Sequence, residues 1–234
     1  LAEAGVCAVT LVWNGENEIG SGHSTGHGLS AFGRAVIPEM ERCGILVDVS
    51  HLNDPGFEDL LEVAQKPFLA THSNARAVAG HRRNLTDEMI REMVRRGCLI
   101  GLNYFVSFLR DGGEVTSLDD LYRHIVHFLE LGASKNLALG SDFDGAALPD
   151  CLNTPQKAAE AYGYLLARGI GREQADGIFY QNARRFWRSP LCSKAGPGCA
   201  AIPGLLFLGQ GKRRSLPPPQ NGFRFGRRAT AGPR

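Results

Sequence analysis

A chain of 234 residues, 43% hydrophobic and 21% charged, is long enough for one large globular domain and too ordinary in composition for a fibrous or wholly disordered protein. Its net charge of +2 conceals a split: residues 1–187 hold 17 basic and 24 acidic residues, whereas residues 188–234 hold 9 basic and no acidic ones. An acidic body excludes a nucleic-acid partner inferred from the overall charge, and no apolar run approaches the roughly 18 residues of a transmembrane segment.

Leu1–Gly5 reads as the end of a helix stopped by Gly5, and residues 6–12 as a buried strand ending on Trp13-Asn14. The glycine-rich segment 14–27 carries His23 and His27. They lie four apart, but the glycines argue for loop residues over a site mouth rather than a helical metal pair. Ser30 caps a helix with an expected apolar stripe of Phe32, Val36, Ile37, Met40 and Cys43, closed by Gly44.

Residues 45–50 form a β-branched run that stops at His51, and residues 67–71 a second that stops at His72. Between them Asn53-Asp54-Pro55 opens a helix with a cap, a first-turn proline and early acids. This is strand, helix, strand, with an imidazole at the carboxyl end of each strand, where α/β proteins put their chemistry. Converging neutral imidazoles suit a divalent metal such as zinc. Taken singly, each histidine reads first as a strand cap; it is the pair, with Asp142 ending a later strand, that favours a site. Arg83, in the following loop, has the fork to hold a carboxylate or a developing oxyanion, or else is simply solvated.

Thr86 opens the next helix, with Asp87 and Glu88 in its first turn and Arg95 and Arg96 in its last. Its Met89, Ile90, Met93 and Val94 form a core face. Residues 98–103 are a strand ending on Asn103. Ser117 and Asp120 match a capping box for a further helix. Within it His124 and His127 form an H-x-x-H that lacks a zincin glutamate and sits mid-helix, so a structural role is expected. Residues 136–141 form the fifth strand, followed by Asp142, Asp144 and Gly145. Acids at a barrel-strand terminus read as catalytic or substrate-binding, with an Asx-turn as the alternative, first for Asp144. Thr154-Pro155 opens one helix, and a last helix is expected over about 173–186.

Five strands alternating with helices imply a parallel α/β architecture. A TIM barrel closes with eight such units and about 250 residues, so the expectation is the last five βα units of one, with three preceding Leu1. The cysteines show no C-x-x-C pair, and Cys7, Cys43 and Cys98 lie in or beside apolar runs where thiols pack as small hydrophobes.

Taken together, Asp48-Val-Ser-His51, Thr71-His72-Ser73-Asn74, Arg82-Arg83-Asn84 and Gly140-Ser-Asp142-Phe-Asp144-Gly145 resemble the membrane (renal) dipeptidase family of zinc peptidases, family M19, particularly its bacterial members. The likeness runs from about Leu1 to Phe186. It implies a metallo-dependent hydrolase barrel and a dipeptide substrate. It also implies two zinc ions sharing a bridging glutamate, one also held by an H-x-D motif and the other by two strand-end histidines. His51 and His72 then hold the second zinc. Arg83 contacts the tetrahedral intermediate, and Asp142 the substrate's amino end or a proton in transfer. Trp13-Asn14 stands where the family has a substrate-contacting residue, often histidine. For Trp13 a packing indole is the alternative. The H-x-D pair and the glutamate have no counterpart in this chain, so at most a zinc half-site is expected.

The accompanying expectations are a homodimer and a bacterial cytoplasmic setting. The alternatives are a non-catalytic remnant that keeps the pocket, or another metal-dependent barrel hydrolase acting on phosphoesters or cyclic amides. Residues 188–234, with 15 Gly and Pro among them, are expected to be disordered and also read as the product of a shifted frame.

Overall fold

The computed structural model describes residues 1–115 and 117–189. The first half contains β1 (Ala8–Thr10), α1 (Ala31–Cys43), β2 (Leu46–Asp48), α2 (Asp54–Val63), β3 (Leu69–Ala70) and α3 (Asp87–Arg95). It continues with β4 (Leu99–Asn103), α4 (Val106–Leu109), α5 (Asp119–Glu130), β5 (Leu137–Ser141), α6 (Pro155–Ala167), α7 (Arg172–Asp176) and α8 (Asn182–Trp187). The basic Gly/Pro-rich stretch expected over 188–234 lies, from residue 190 onward, outside the described residues.

Local chemistry sets four of the eight described α-helix starts. Ser30, Asn53, Thr86 and Thr154 stand in extended backbone and accept, through their side chains, the backbone N–H three residues on. Each such cap is worth about 1 kcal/mol. Gly44, at φ 74°, ends α1. The buried face of α1 is Gly33, Ile37 and Met40, and Phe32, expected in the stripe, is 60% exposed. Val36 and Cys43 are half-buried against the core, so only Phe32 falls off the expected stripe, with Gly33 in the buried place of the first turn.

Two further expectations are corrected. Ser117 and Asp120 do not form a capping box: α5 begins at Asp119 without a side-chain cap, and Asp120 is buried, 3.8 Å from Arg110. The single last helix is three pieces, with a π-helical turn over Gly177–Gln181 between α7 and α8. The wider turn brings Asn182 onto the sheet, where Nδ2 donates to the carbonyls of Ser134 and Leu137.

The strands pair in sequence order, β1-β2-β3-β4-β5, all parallel. One face meets the helices through Val47, Ala70, Ile100 and Leu137 in the main core. The opposite face carries Leu46, Leu69, Leu99 and Ala138, covered at the amino ends of the strands by Ala183 and Phe186 of α8. Two residues further along each strand, that same face carries Asp48, Thr71, Gly101 and Gly140. This polar, small-residue layer lies directly beneath the strand ends where the histidines emerge. No described helix is long and apolar enough to cross a membrane.

Candidate metal centre

The end of the β2 run delivers His51 and the end of the β3 run delivers His72. Parallel pairing of these neighbours brings the rings together with Nε2 atoms 3.0 Å apart, centroids 5.0 Å apart and planes at 64°. Two nitrogens bound to one tetrahedral zinc at about 2.0–2.1 Å lie roughly 3.3 Å from each other. The observed separation is near that bite.

The other ring nitrogens are already engaged. His51 Nδ1 is 3.2 Å from Asn14 Oδ1, an acceptor, and His72 Nδ1 is 2.7 Å from Thr71 Oγ1. Thr71 Oγ1 in turn donates to Asp48 Oδ2 at 2.7 Å, which leaves an oxygen lone pair for the His72 Nδ1–H. The hydrogen-bond network thus assigns the His72 proton to Nδ1 and turns its Nε2 lone pair toward His51, whose amide partner Asn14 accommodates either tautomer. Burial, with Arg83 and His72 beside it, pushes His51 down to about 3, and burial and Arg83 lower His72 as well. Neutral imidazoles are the metal-binding form. The pair therefore fits a divalent cation but supplies only half of a zinc ligand set. No group of three or more His, Cys, Asp or Glu side chains able to hold a metal is found among the described residues.

Asp48 anchors this arrangement. It is 2% exposed and accepts Ser50 N and Oγ, Thr10 Oγ1, and Thr71 N and Oγ1 at 2.6–3.1 Å. Burial acts to raise its carboxyl, but the hydrogen bonds from Ser50, Thr10 and Thr71 overcome this and hold it below the usual range.

Arg83 is 3% exposed, and burial pushes its guanidinium down to about 10 against the pull of Asp48 and Asp142. Its Nη2 has no hydrogen-bond partner among the described residues, and the guanidinium lies 5.3 Å over the Phe108 ring. The loop that carries it is clamped on both sides. His81 Nδ1 accepts Arg83 N at 3.1 Å, and Asn84 Nδ2 donates to the carbonyls of Ala79 and Phe108. A buried, positioned and unpaired guanidinium fork is a receptor for an anion.

Asp142 follows β5 in left-handed backbone at φ 67°, between Ser141 at 34° and Asp144 at 65°. Such φ values cost of order 1–3 kcal/mol for non-glycine residues and cluster at functional sites. Asn103, at the end of β4, donates Nδ2 to Asp142 Oδ2 at 3.1 Å. Asn103 is held in turn by Asn74, whose Oδ1 accepts Asn103 N and whose Nδ2 donates to Asn103 O.

Asn14 joins the histidines directly. Its neighbour Trp13 is 73% exposed, so it is not a packing indole. His23 lies beside the site, its ring 6.0 Å from His81, while His27 is exposed. His124 has the structural role expected of it: fully buried, it accepts Ala75 N on Nδ1 and reaches Leu109 O through Nε2. His127 sits 2.7 Å from Asp87. Sequence reasoning missed the roles of Thr10, Asp48, Ser50 and Thr71. Asp48 and Thr71 stand in the strand-end motifs, but only the strand register sets them side by side.

Parallel βα units with paired imidazoles at neighbouring strand ends and an acid two strands further on define the class, the (β/α)-barrel architecture of metallo-dependent hydrolases. A model of the membrane dipeptidase family, peptidase family M19, matches residues 1–194, and the chain belongs to that family. It is 35% identical over 190 residues to an uncharacterised protein encoded 5' of pqqA in Klebsiella pneumoniae, covering 76% of this chain and 70% of that one. It is 32% identical over 193 residues to an uncharacterised dipeptidase of Schizosaccharomyces pombe, covering 79% of this chain and 46% of that one.

Among solved structures it is similar to a Rhodobacter sphaeroides metallopeptidase liganded with a phosphinate mimic of L-Ala-D-Ala. That likeness has a TM-score of 0.73 and 29% identity over 80% of this chain and 55% of that one. A second similar structure is the M19 metallopeptidase called dipeptidase AC, at a TM-score of 0.74 and 29% identity over 81% of this chain and 58% of that one. The chain thus spans between about half and 70% of the length of these relatives.

Proposed function

We propose that this chain carries the imidazole pair of one metal and the substrate-binding residues of a zinc-dependent dipeptidase. The observation that supports this best is the 3.0 Å approach of two Nε2 atoms whose rings each engage another partner through Nδ1. His51 and His72 are the proposed ligands. Zinc bound there supplies a Lewis acid that polarises a peptide carbonyl and brings a bound water's pKa near neutrality.

The remaining roles follow from charge and place. Arg83, buried with a free Nη2, receives the substrate carboxylate or the oxyanion that develops on the attacked carbonyl. Asp142, held by Asn103, takes the substrate ammonium or a proton in transfer. Opposite charges at the two ends of one pocket select a short zwitterion, which is what a dipeptide is. Asn14 orients His51, and the exposed Trp13 indole stands at the β1 end as an apolar contact for a substrate side chain.

The absence of a third ligand among the described residues favours a second reading, in which the chain alone keeps the pocket without turnover. Zinc stoichiometry after dialysis, read beside hydrolysis assays on dipeptides, a phosphodiester and a lactam, separates the readings. We expect at most one zinc per chain, bound weakly and lost with His72→Ala. Activity confined to the phosphodiester or the lactam overturns the dipeptidase assignment, and two zinc ions per chain overturn the half-site.

A further inference from the structure

We propose that Asp48, acting through the Thr71 hydroxyl, sets the ring tautomer of His72 and thereby keeps its Nε2 open to the metal. Asp48 and Thr71 are on this view positioning residues. The inference concerns which nitrogen carries the proton, and it rests on the proposed metal role of His72 only for its consequence.

The argument is one of proton counting. An ionised carboxylate only accepts, so the 2.7 Å contact between Thr71 Oγ1 and Asp48 Oδ2 uses the single Thr71 hydroxyl proton. Thr71 Oγ1 then faces His72 Nδ1, 2.7 Å away, with a lone pair, and the ring must present Nδ1–H. Ser50 cannot substitute for Thr71 here. Its hydroxyl proton goes to Asp48 Oδ1 at 2.6 Å, and its oxygen accepts His72 N at 3.0 Å. Ser50 Oγ and Thr71 Oγ1 also lie 3.0 Å apart, a contact to which either could donate, but the ionised carboxylate draws both hydroxyl protons, and the relay runs carboxylate, hydroxyl, imidazole.

His51 is controlled differently. Its Nδ1 partner is an amide, Asn14, which can rotate to present either oxygen or nitrogen. Without a metal, the two facing Nε2 atoms are best reconciled by one proton between them. The relay holds His72 as the acceptor of that proton, and His51 with Asn14 as the adjustable side. A cation then replaces the shared proton without disturbing His72.

Asp48→Asn reverses the relay in a defined way. Ser50 N and Thr71 N both donate to the Oδ1 position at 3.1 and 2.9 Å, and a backbone N–H cannot turn round. The new amide must therefore keep its oxygen there and place its NH2 where Oδ2 was, facing Thr10 and Thr71. That NH2 donates to Thr71 Oγ1, freeing the hydroxyl proton for His72 Nδ1, and the ring proton moves to Nε2. The ring then presents a proton where the metal needs a lone pair.

Long-range proton–nitrogen NMR correlation of the histidine rings in the metal-free full chain tests this directly. We expect His72 in the Nδ1–H form in the parent chain and in Thr71→Ser. In Asp48→Asn and Thr71→Val we expect the Nε2–H form to dominate. Titration with zinc alone should then show a 10–100-fold weaker affinity for Asp48→Asn and Thr71→Val, and near-parent affinity for Thr71→Ser. If Asp48→Asn fails to fold, the Thr71→Val and Thr71→Ser pair decides. His72 already protonated at Nε2 in the parent chain, or an unchanged tautomer in the folded variants, overturns the relay. Correct tautomers with no zinc bound by any chain instead overturn the metal role of His72 and leave the relay standing.

Discussion

The carbonyl oxygen of Thr71 occupies the space that a β-carbon on Gly101 would fill, and Gly140 on the next strand meets the same oxygen. Two adjacent strands thus lack side chains at the level where β3 hands over to His72. Gly101→Ala puts a methyl group against backbone, which cannot rotate away as a flexible side chain can. We expect a loss of about 1–3 kcal/mol in stability, as for overpacking elsewhere. Zinc affinity should fall as well, because the displaced element is the one that aims His72. Denaturant midpoints and zinc titration check this; unchanged zinc binding in a destabilised variant would show that Thr71 can move without taking His72 with it.

Histidines 72 and 124 make a discriminating pair. His72 faces another imidazole across a metal-sized gap, whereas both nitrogens of His124 are committed to backbone groups on different segments, Ala75 N and Leu109 O. His72→Ala should abolish zinc binding with little change in the unfolding midpoint. His124→Ala should cost about 2–4 kcal/mol, from a cavity plus two unpaired backbone groups, and spare zinc binding wherever the chain remains folded. Equal losses of zinc affinity in the two variants would count against the assigned site.

How much of this was legible in the sequence depends on range. Ser30, Asn53, Thr86 and Thr154 announce their helices because a cap bonds only three residues ahead, and all four do so. The strand-end positions of His51, His72 and Asp142 were legible because a buried run ends visibly. The same local pattern misled at Ser117 and Asp120, since Asp120 is drawn inward near Arg110 and leaves no capping carboxylate. The π turn before Asn182 had no local signal either, because carbonyls on the distant sheet side of the contact, at Ser134 and Leu137, dictate it. Asp48 and Thr71 were visible as residues of the motifs but not as a relay, which exists only once β2 and β3 are in register.

Acid should weaken the fold, and His124 should account for a measurable share. Burial pushes its imidazole down to about 4, below the ordinary 6.5. The unfolded chain therefore takes up the proton first. The stabilisation is present in full above about pH 6.5 and is lost as pH falls toward about 4, by roughly 3 kcal/mol at most. Denaturant midpoints measured at steps between pH 7 and pH 4 should fall more steeply for the parent chain than for His124→Gln. Parallel curves would mean that His124 is not held neutral.

Arg83 should be a residue that the fold tolerates at a cost and binding requires. Its guanidinium is buried, and its Nη2 has no hydrogen-bond partner among the described residues, although Asp48 and Asp142 attract it. A desolvated charge that lacks full hydrogen bonding contributes little to stability and is often replaced by an apolar chain of similar length without loss. Arg83→Met should therefore leave the unfolding midpoint unchanged or raise it, by on the order of 1 kcal/mol, through the contact its chain keeps with Phe108. The same variant should lose affinity for L-Ala-L-Ala, the loss being larger for the free dipeptide than for its C-terminal amide if the guanidinium receives the carboxylate. Calorimetric titration with the two ligands reads that difference. An equal loss for both points to the attacked carbonyl as the Arg83 partner, and no loss for either removes Arg83 from the binding site.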